Sequence, residues 1–330
     1  MKNKAGFTLL ELLMVIALIA IVSTLAVNKV GGVREGAARK VSLANQKAVE
    51  RAVEAFLAED GALNRLDSLL YAGSGGAPLV RSPEGAFDFD TVSTASARNG
   101  FYLGPSADAD AALRAERNEG LSAGLRGALC LYSLSPAQAA GLCDSLGLRF
   151  VMAHTAWADA AENARPADHY PKTRAWGDGS EPDAADGLVP NESACVATAV
   201  TNGMLVAAVN PKNNAGRAVY RACGQELLAT QDDGDYDEAS VLAEVAATGG
   251  PLVAFGLGDA ASIVGKADAG LESATFAPCM KKTAYSRYVL LFRLRNAGTA
   301  SAPKTVPEFA GVIDPDGNTF RAAQKILRSL

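Results

Sequence analysis

Residues 5–22 read AGFTLLELLMVIALIAIV. Lys2 and Lys4 precede the segment, and Gly6 marks a sharp junction between polar and apolar sequence. From Phe7 to Val27 there are 21 residues, and their only charge is Glu11. At about 1.5 Å rise per residue, a helix of that length reaches across the ~30 Å hydrocarbon core of a bilayer. A carboxylate inside such a helix is costly without a partner, so the reading of the chain turns on what Glu11 meets.

The run Lys4-Ala5-Gly6-Phe7-Thr8-Leu9-Leu10-Glu11-Leu12-Leu13, with the apolar stretch after it, resembles the class III leader and N-terminus of type IV prepilins and type II secretion pseudopilins. The resemblance implies that a prepilin peptidase cuts after Gly6 and that Phe7 becomes an N-methylated first residue. It further implies storage in the bacterial inner membrane as a single-pass protein with its head outside the cytoplasm. An assembly ATPase and a platform membrane protein would then move the subunit into a periplasmic or cell-surface filament, among copies of itself and other pilins or pseudopilins. The chemistry is coherent. A freed α-amine has a pKa of about 8 and is mostly cationic at neutral pH. In a bundle of staggered parallel helices, Glu11 can meet the Phe7 amine of a neighbour, and two charges costly alone become tolerable as a pair. Such a pair would set axial register. Two other readings stay open on the residues: a plain membrane anchor, or a secretory signal cut after Thr24-Leu25-Ala26 on a secreted or anchored envelope binding protein or enzyme. Both leave Glu11 unexplained.

Working outward, Val41, Ala48/Val49, Ala52/Val53 and Phe56/Leu57 recur at helical spacing, so a helix is expected to continue over 33–60 and to end near Gly61. Ala44–Val53 also resembles pilin helices just beyond the membrane. Gly31 and Gly32 interrupt the run at a cost of about 2 kcal/mol in helix propensity relative to alanine, which suggests a hinge at 28–36 or a simple juxtamembrane kink. Many pilins have a helix-breaking proline near this point; here Asn28 and the glycine pair stand instead. The organisation expected is therefore a leader at 1–6, a transmembrane and assembly helix at 7–27, its amphipathic continuation at 28–60, and an extracytoplasmic head at 61–330.

The head is large enough for one sizeable domain or two small ones. Net charge is −5, and loss of Lys2 and Lys4 with the leader leaves 29 basic against 36 acidic side chains, or −7. No run of Lys or Arg exceeds two, so no nucleic-acid partner is indicated. Cys130, Cys143, Cys195, Cys223 and Cys279 form no C-x-x-C pair, which removes zinc-ribbon, thioredoxin-like and c-haem readings. Outside the cytoplasm, two disulfides and one thiol is the simplest count: Cys130–Cys143 with either Cys195–Cys223 or Cys223–Cys279, or all five reduced.

Within the head, Leu63–Tyr71 reads as a short helix, 73–84 as a linker, and Asp108–Glu119 as an Ala-rich helix. Ser135-Pro136-Ala137-Gln138 is a capping box that opens a helix to about Leu146. Arg149–His154, Gly203–Val209, Pro251–Gly256 and Tyr285–Leu294 read as strands, with Pro307–Ile313 as another. Gly216–Leu228, Ala239–Ala247 and Thr319–Leu330 read as helices, and 155–190 as a long loop. The fold class is α+β: a long N-terminal helix packed on an antiparallel sheet, with large insertions. The resemblance implies the same pilin-like arrangement.

Other chemistry has thin support. Gly256-Leu257-Gly258-Asp259-Ala260-Ala261 has the shape of a dinucleotide-binding turn, but no long helix or well-spaced acid follows it. Asp233, Asp235 and Asp237 alternate in an acidic loop and could converge on calcium, the only ion indicated; a solvated acidic loop is the plainer account of them. Some type II secretion pseudopilins order a loop with calcium. Asp314, Asp316 and Asn318 form a second oxygen cluster, although D-P-D-G is first a turn. His154 and His169 make no metal pair, and neither G-x-S-x-G nor H-E-x-x-H occurs. No cofactor and no catalytic turnover are expected.

Overall fold

The computed structural model describes residues 35–59, 61–71, 79–89, 101, 121–154, 195–228, 231–232, 235–258, 261–265, 271, 275, 277–280, 285–299 and 301–329. The first described helix, α1, covers 35–58. Strand β1 (Arg65–Tyr71) and the short β2 (Phe87–Asp88) follow. Next come α2 (Ala123–Ala128), β3 (Leu129–Ser133), α3 (Pro136–Ser145) and β4 (Phe150–His154). After these the chain forms β5 (Cys195–Ala199), β6 (Leu205–Val209), α4 (Asn214–Ala222) and a small hairpin of β7 (Gln231–Asp232) and β8 (Asp235–Tyr236). Helix α5 (Glu238–Ala247), β9 (Leu252–Gly256), β10 (Val289–Asn296), β11 (Thr305–Ile313) and α6 (Phe320–Ser329) complete the order.

Among the described residues nine strands make one mixed sheet that branches at β9. Strand β10 runs antiparallel along β9 from Val289↔Gly256 to Arg293↔Leu252 and carries β11 beyond it. β6 and β1 pair with different parts of β9: β6 through Ala207↔Ala254 and Ala208↔Val253, β1 through Asp67↔Gly256. From β6 the sheet continues to β3 and β2, and from β1 to β4 and β5. The β1–β4 pair is parallel, whereas a wholly antiparallel sheet was expected; the other pairs of this sheet are antiparallel.

Both faces of the sheet are covered. Cys130, Tyr132, Val206, Ala208, Val253, Phe255, Leu290 and Phe292 point into a core shared with Val49 and Val53 of α1 and Leu142 of α3. The alternate residues Leu129, Leu131, Leu205, Ala207, Leu252, Ala254, Val289 and Leu291 point into a second core with Leu125, Tyr220, Val241 and Val245 of α2, α4 and α5. The expected architecture placed only the N-terminal helix against the sheet, and the observed one has helices on both faces. The sequence carries the physical reason. LVAAV and LVAFG are continuous apolar runs, and a strand with water on one side alternates instead.

The expected helix at Leu63–Tyr71 is strand β1. Leu63, Leu66, Leu69 and Leu70 imitate helical spacing because the strand is irregular between Asp67 and Tyr71. There the Leu69 N–H donates to Asp67 Oδ1 at 2.9 Å and the Leu70 N–H donates to Ser68 Oγ at 3.1 Å. Leu69 sits at φ 60°, the left-handed region. The irregularity buries Leu66 in one core and both Leu69 and Leu70 in the other. The capping box is as expected: Ser135 accepts from Gln138 N, the Gln138 side chain accepts from Ser135 N, and the helix runs to Ser145. Strands at 150–154, 205–209, 252–256, 289–296 and 305–313, and helices at 238–247 and 320–329, also match the reading. The helix expected over Gly216–Leu228 covers Asn214–Ala222. The sequence reading missed β2, β3, β5, α2 and the β7–β8 hairpin, whose residues it took for an acidic loop. The expected helix at 108–119 and loop at 155–190 lie outside the described residues.

Candidate functional site

Helix α1 connects the decisive N-terminal segment to the head, so its two faces define the site. The inward face follows residues 42, 46, 49, 53 and 56/57. Val49 and Val53 are fully buried, and Ala52, Phe56 and Leu57 pack partly buried beside them. Each buried valine contributes about 1.5–3 kcal/mol of hydrophobic stabilisation. Upstream the same face turns polar. Ser42 Oγ donates to Cys279 Sγ at 3.1 Å, and Tyr288 donates from its hydroxyl to the Ser42 carbonyl at 2.6 Å. Gln46 Nε2 donates to the carbonyls of Val312 (2.9 Å) and Asn318 (3.3 Å), tying α1 to the end of β11 and the turn after it. The helix ends where the Gly61 N–H reaches the Phe56 carbonyl at 2.9 Å; a Cβ at Gly61 would stand 2.5 Å from that oxygen, so glycine is needed there for close approach.

The outward face is unusual for a solvated helix. Ala37, Val41, Ala44, Ala48, Ala55 and Ala58 are exposed and recur at intervals of three, four or seven residues, broken by Arg51. Val41 is 50% exposed. Charges flank this stripe: Arg39 pairs with Glu35 at 3.0 Å, and Lys47 pairs with Glu50 and lies 4.8 Å from the ring centre of Phe320. Small side chains let another helix approach closely, and flanking charges limit which approach is favourable.

Gly6, Phe7, Glu11, Gly31 and Gly32 lie outside the described residues. The final two residues of the expected hinge, Glu35 and Gly36, are helical. Among the described residues no helix is long and apolar enough to cross a membrane.

Cys130, Cys143, Cys223 and Cys279 are free thiols, so the expected Cys130–Cys143 and Cys223–Cys279 bridges are not formed. The second could not form: Cys223 packs against one core and Cys279 against the other, on opposite faces of the sheet. Cys143 Sγ faces the Val200 carbonyl at 4.0 Å, while Cys130 is buried within the sheet. Burial pushes the Cys130 thiol well above its ordinary pKa and that of Cys223 up to about 11. The side chain of Cys195 lies outside the described residues.

The acidic loop is divided between uses. Asp237 caps α5, its carboxylate accepting from the Ser240 N–H at 3.0 Å, and this hydrogen bonding with Ser240 lowers its pKa. Asp235 lies in β8, and Asp233 is outside the described residues. Among the described residues no group of three or more His, Cys, Asp and Glu could hold a metal ion. Gly256 and Gly258 have a packing role: a Cβ at Gly256 would stand 2.8 Å from Leu69 Cδ2, and one at Gly258 would stand 3.2 Å from Asp67 Oδ2. The D-P-D-G-N stretch is a turn in which Asp314 accepts from the N–H groups of Asp316 (3.0 Å) and Asn318 (2.7 Å). Sequence reasoning missed Ser42 and Gln46. Their signal was present, as two polar residues at helical spacing in line with Val49 and Val53.

Comparison with known proteins places the N-terminus. Residues 1–27 match the prokaryotic N-terminal methylation motif, so the chain carries a prepilin-type class III leader motif. A "Prepilin peptidase-dependent protein A" of Clostridium perfringens (strain 13 / Type A) is 37% identical over 75 residues, which are 23% of this chain and 54% of that protein. The chain thus spans about half the length of the relative it matches. No solved structure matches the chain.

Proposed function

We propose that this protein is a structural subunit of a type IV pilus-like or type II secretion pseudopilus-like filament. The observation that carries the reading is the methylation motif over residues 1–27, with Glu11 four positions after Phe7. Prepilin peptidase cuts between Gly6 and Phe7, the new amine is methylated, and the helix waits in the inner membrane. An ATPase and a platform protein then deliver it to the polymer. Glu11 pairs with the Phe7 amine of a neighbour and sets the register. The pilin-like arrangement is supported by α1, whose inward face is held by the head while its outward stripe of alanines is left for other helices. The head is large, which fits a minor or tip subunit or a specialised major one. Its work is assembly and display rather than turnover.

The test is the mass and sequence of the mature N-terminus from the native host. A peptide that begins at Phe7 and is heavier by one methyl group is expected. A start at Val27, or an intact Met1, would remove the basis of the reading. Glu11→Val should then abolish filaments while leaving the unfolding midpoint of the head unchanged.

A further inference from the structure

A small, partly open space lies where α1, α6 and the turn after β11 meet, lined among others by Ser42, Gln46, Cys279, Asp314, Asn318 and Ile326. Gln46 is only 1% exposed. Both hydrogens of its amide nitrogen are committed to the Val312 and Asn318 carbonyls, yet its Oε1 is buried and receives no hydrogen bond. Ser42 cannot serve it, because its hydroxyl donates to Cys279 Sγ. Across the same space stands Asp314, 8% exposed. Its Oδ1 accepts two backbone N–H groups, whereas Oδ2 has only a long bond of 3.3 Å from Asn318 Nδ2. One buried acceptor without a donor and one poorly served carboxylate oxygen thus line a single cavity. Its volume is about 10 Å³, room for about one water molecule.

We propose that this cavity is a proton-linked clasp: it takes up one water molecule and one proton, which together join Asp314 to Gln46 and tighten the docking of α1 on the C-terminal turn. The proton resides on Asp314 Oδ2. That hydroxyl donates to the water, and the water donates to Gln46 Oε1, so both deficient oxygens are satisfied at once. No bond other than the O–H changes.

The electrostatic setting agrees. Burial pushes the Asp314 carboxyl up to about 6, and the neighbouring Asp316 charge adds to this, against the lowering effect of the Asn318 and Asp316 amides. Arg39, itself paired with Glu35, lines the space from α1, Cys279 faces the group from the adjoining loop, and Tyr288 faces it from just before β10; burial raises the pKa of Cys279 and Tyr288, which keeps them neutral. The lining residues from α6, Ala323 and Ile326, carry no charge. A carboxyl raised in the folded state binds its proton more tightly than in the unfolded chain. Stability from the clasp is therefore present in full below the unfolded value and is lost as pH rises through about 6.

The test is hydrogen exchange read by mass spectrometry on the full chain in zwitterionic detergent, corrected for the intrinsic pH dependence of exchange. Segments 42–50 and 312–319 are expected to be at least about fivefold better protected near pH 5 than at pH 7.5, and Asp314→Asn should remove the difference. Equal protection at the two pH values in the unaltered protein would overturn the clasp. A second measurement avoids dependence on the folding of that variant: carboxyl ¹³C titration of the unaltered protein and of Gln46→Met, which keeps the side-chain length and removes the acceptor. The Asp314 midpoint should fall by about half a unit or more in Gln46→Met. An unmoved midpoint would refute the water bridge.

Discussion

Gly141→Ala tests how the head is packed around the strand that leads to the clasp. Gly141 lies in α3 where that helix crosses β11, and a Cβ added there would stand 2.5 Å from the Thr305 carbonyl oxygen and 3.1 Å from the Thr305 carbonyl carbon and Cβ. An ordinary carbon–oxygen contact needs nearly an ångström more, and the obstacle is backbone, which cannot swing aside. Two effects oppose each other. Alanine gains about 1 kcal/mol of helix propensity over glycine. Overpacking costs about 1–3 kcal/mol, and a retreat of α3 also loosens the fully buried Leu142. Because the clash is with backbone, its cost falls toward the upper end of that range and the steric effect should win, with a net loss of about 1–2 kcal/mol, or roughly 2–8 °C in Tm for a head of this size. The assay is thermal or urea unfolding of the full chain in detergent, with Gly127→Ala as reference. Gly127 is also helical but has nothing within 4 Å of an added Cβ, so its replacement should be neutral or stabilising by up to about 1 kcal/mol. An unchanged or raised midpoint for Gly141→Ala would refute the close approach of α3 to β11.

Two further outcomes follow from the packing of α1 and from thiol burial. Val53→Ala removes methyl groups from a fully buried position and should cost about 1–2.5 kcal/mol, read as a lower urea midpoint and faster proteolysis within 35–58. The matching change at exposed Val41 should leave both unchanged. In native protein, maleimide should label half-buried Cys143 far faster than buried Cys130, with the rates converging only on unfolding; equal native rates would contradict the placement of Cys130.

The parts of the fold that were legible in sequence are those fixed by neighbours along the chain. The capping box at Ser135–Gln138 is a reciprocal pair of hydrogen bonds within four residues, so four letters specify it. The strands 252–256 and 289–296 announce themselves by composition. Leu63–Tyr71 was illegible because its leucine spacing records a strand irregularity held by Asp67 and Ser68, and a local period of that kind imitates a helix. The acidic residues Asp233, Asp235 and Asp237 looked like one cluster, yet Asp237 serves as a helix cap. The choice between paired and reduced cysteines was illegible for a different reason. Whether two thiols meet depends on which face of the sheet each occupies, and spacing in the chain does not carry that.

By itself the sequence determined the N-terminal motif: an apolar run whose lone carboxylate follows the Gly6–Phe7 junction is a covalent pattern that needs no fold to be read. It also determined the helix that leads from it and the strongest strands. The tertiary structure alone decided that β1 and β4 run parallel, that helices cover both faces of the sheet, and that Ser42, Gln46 and Asp314 converge. Gln46 and Asp314 are separated by most of the chain. They come to line one space only because burying the apolar faces of α1 and the sheet carries these polar groups in together.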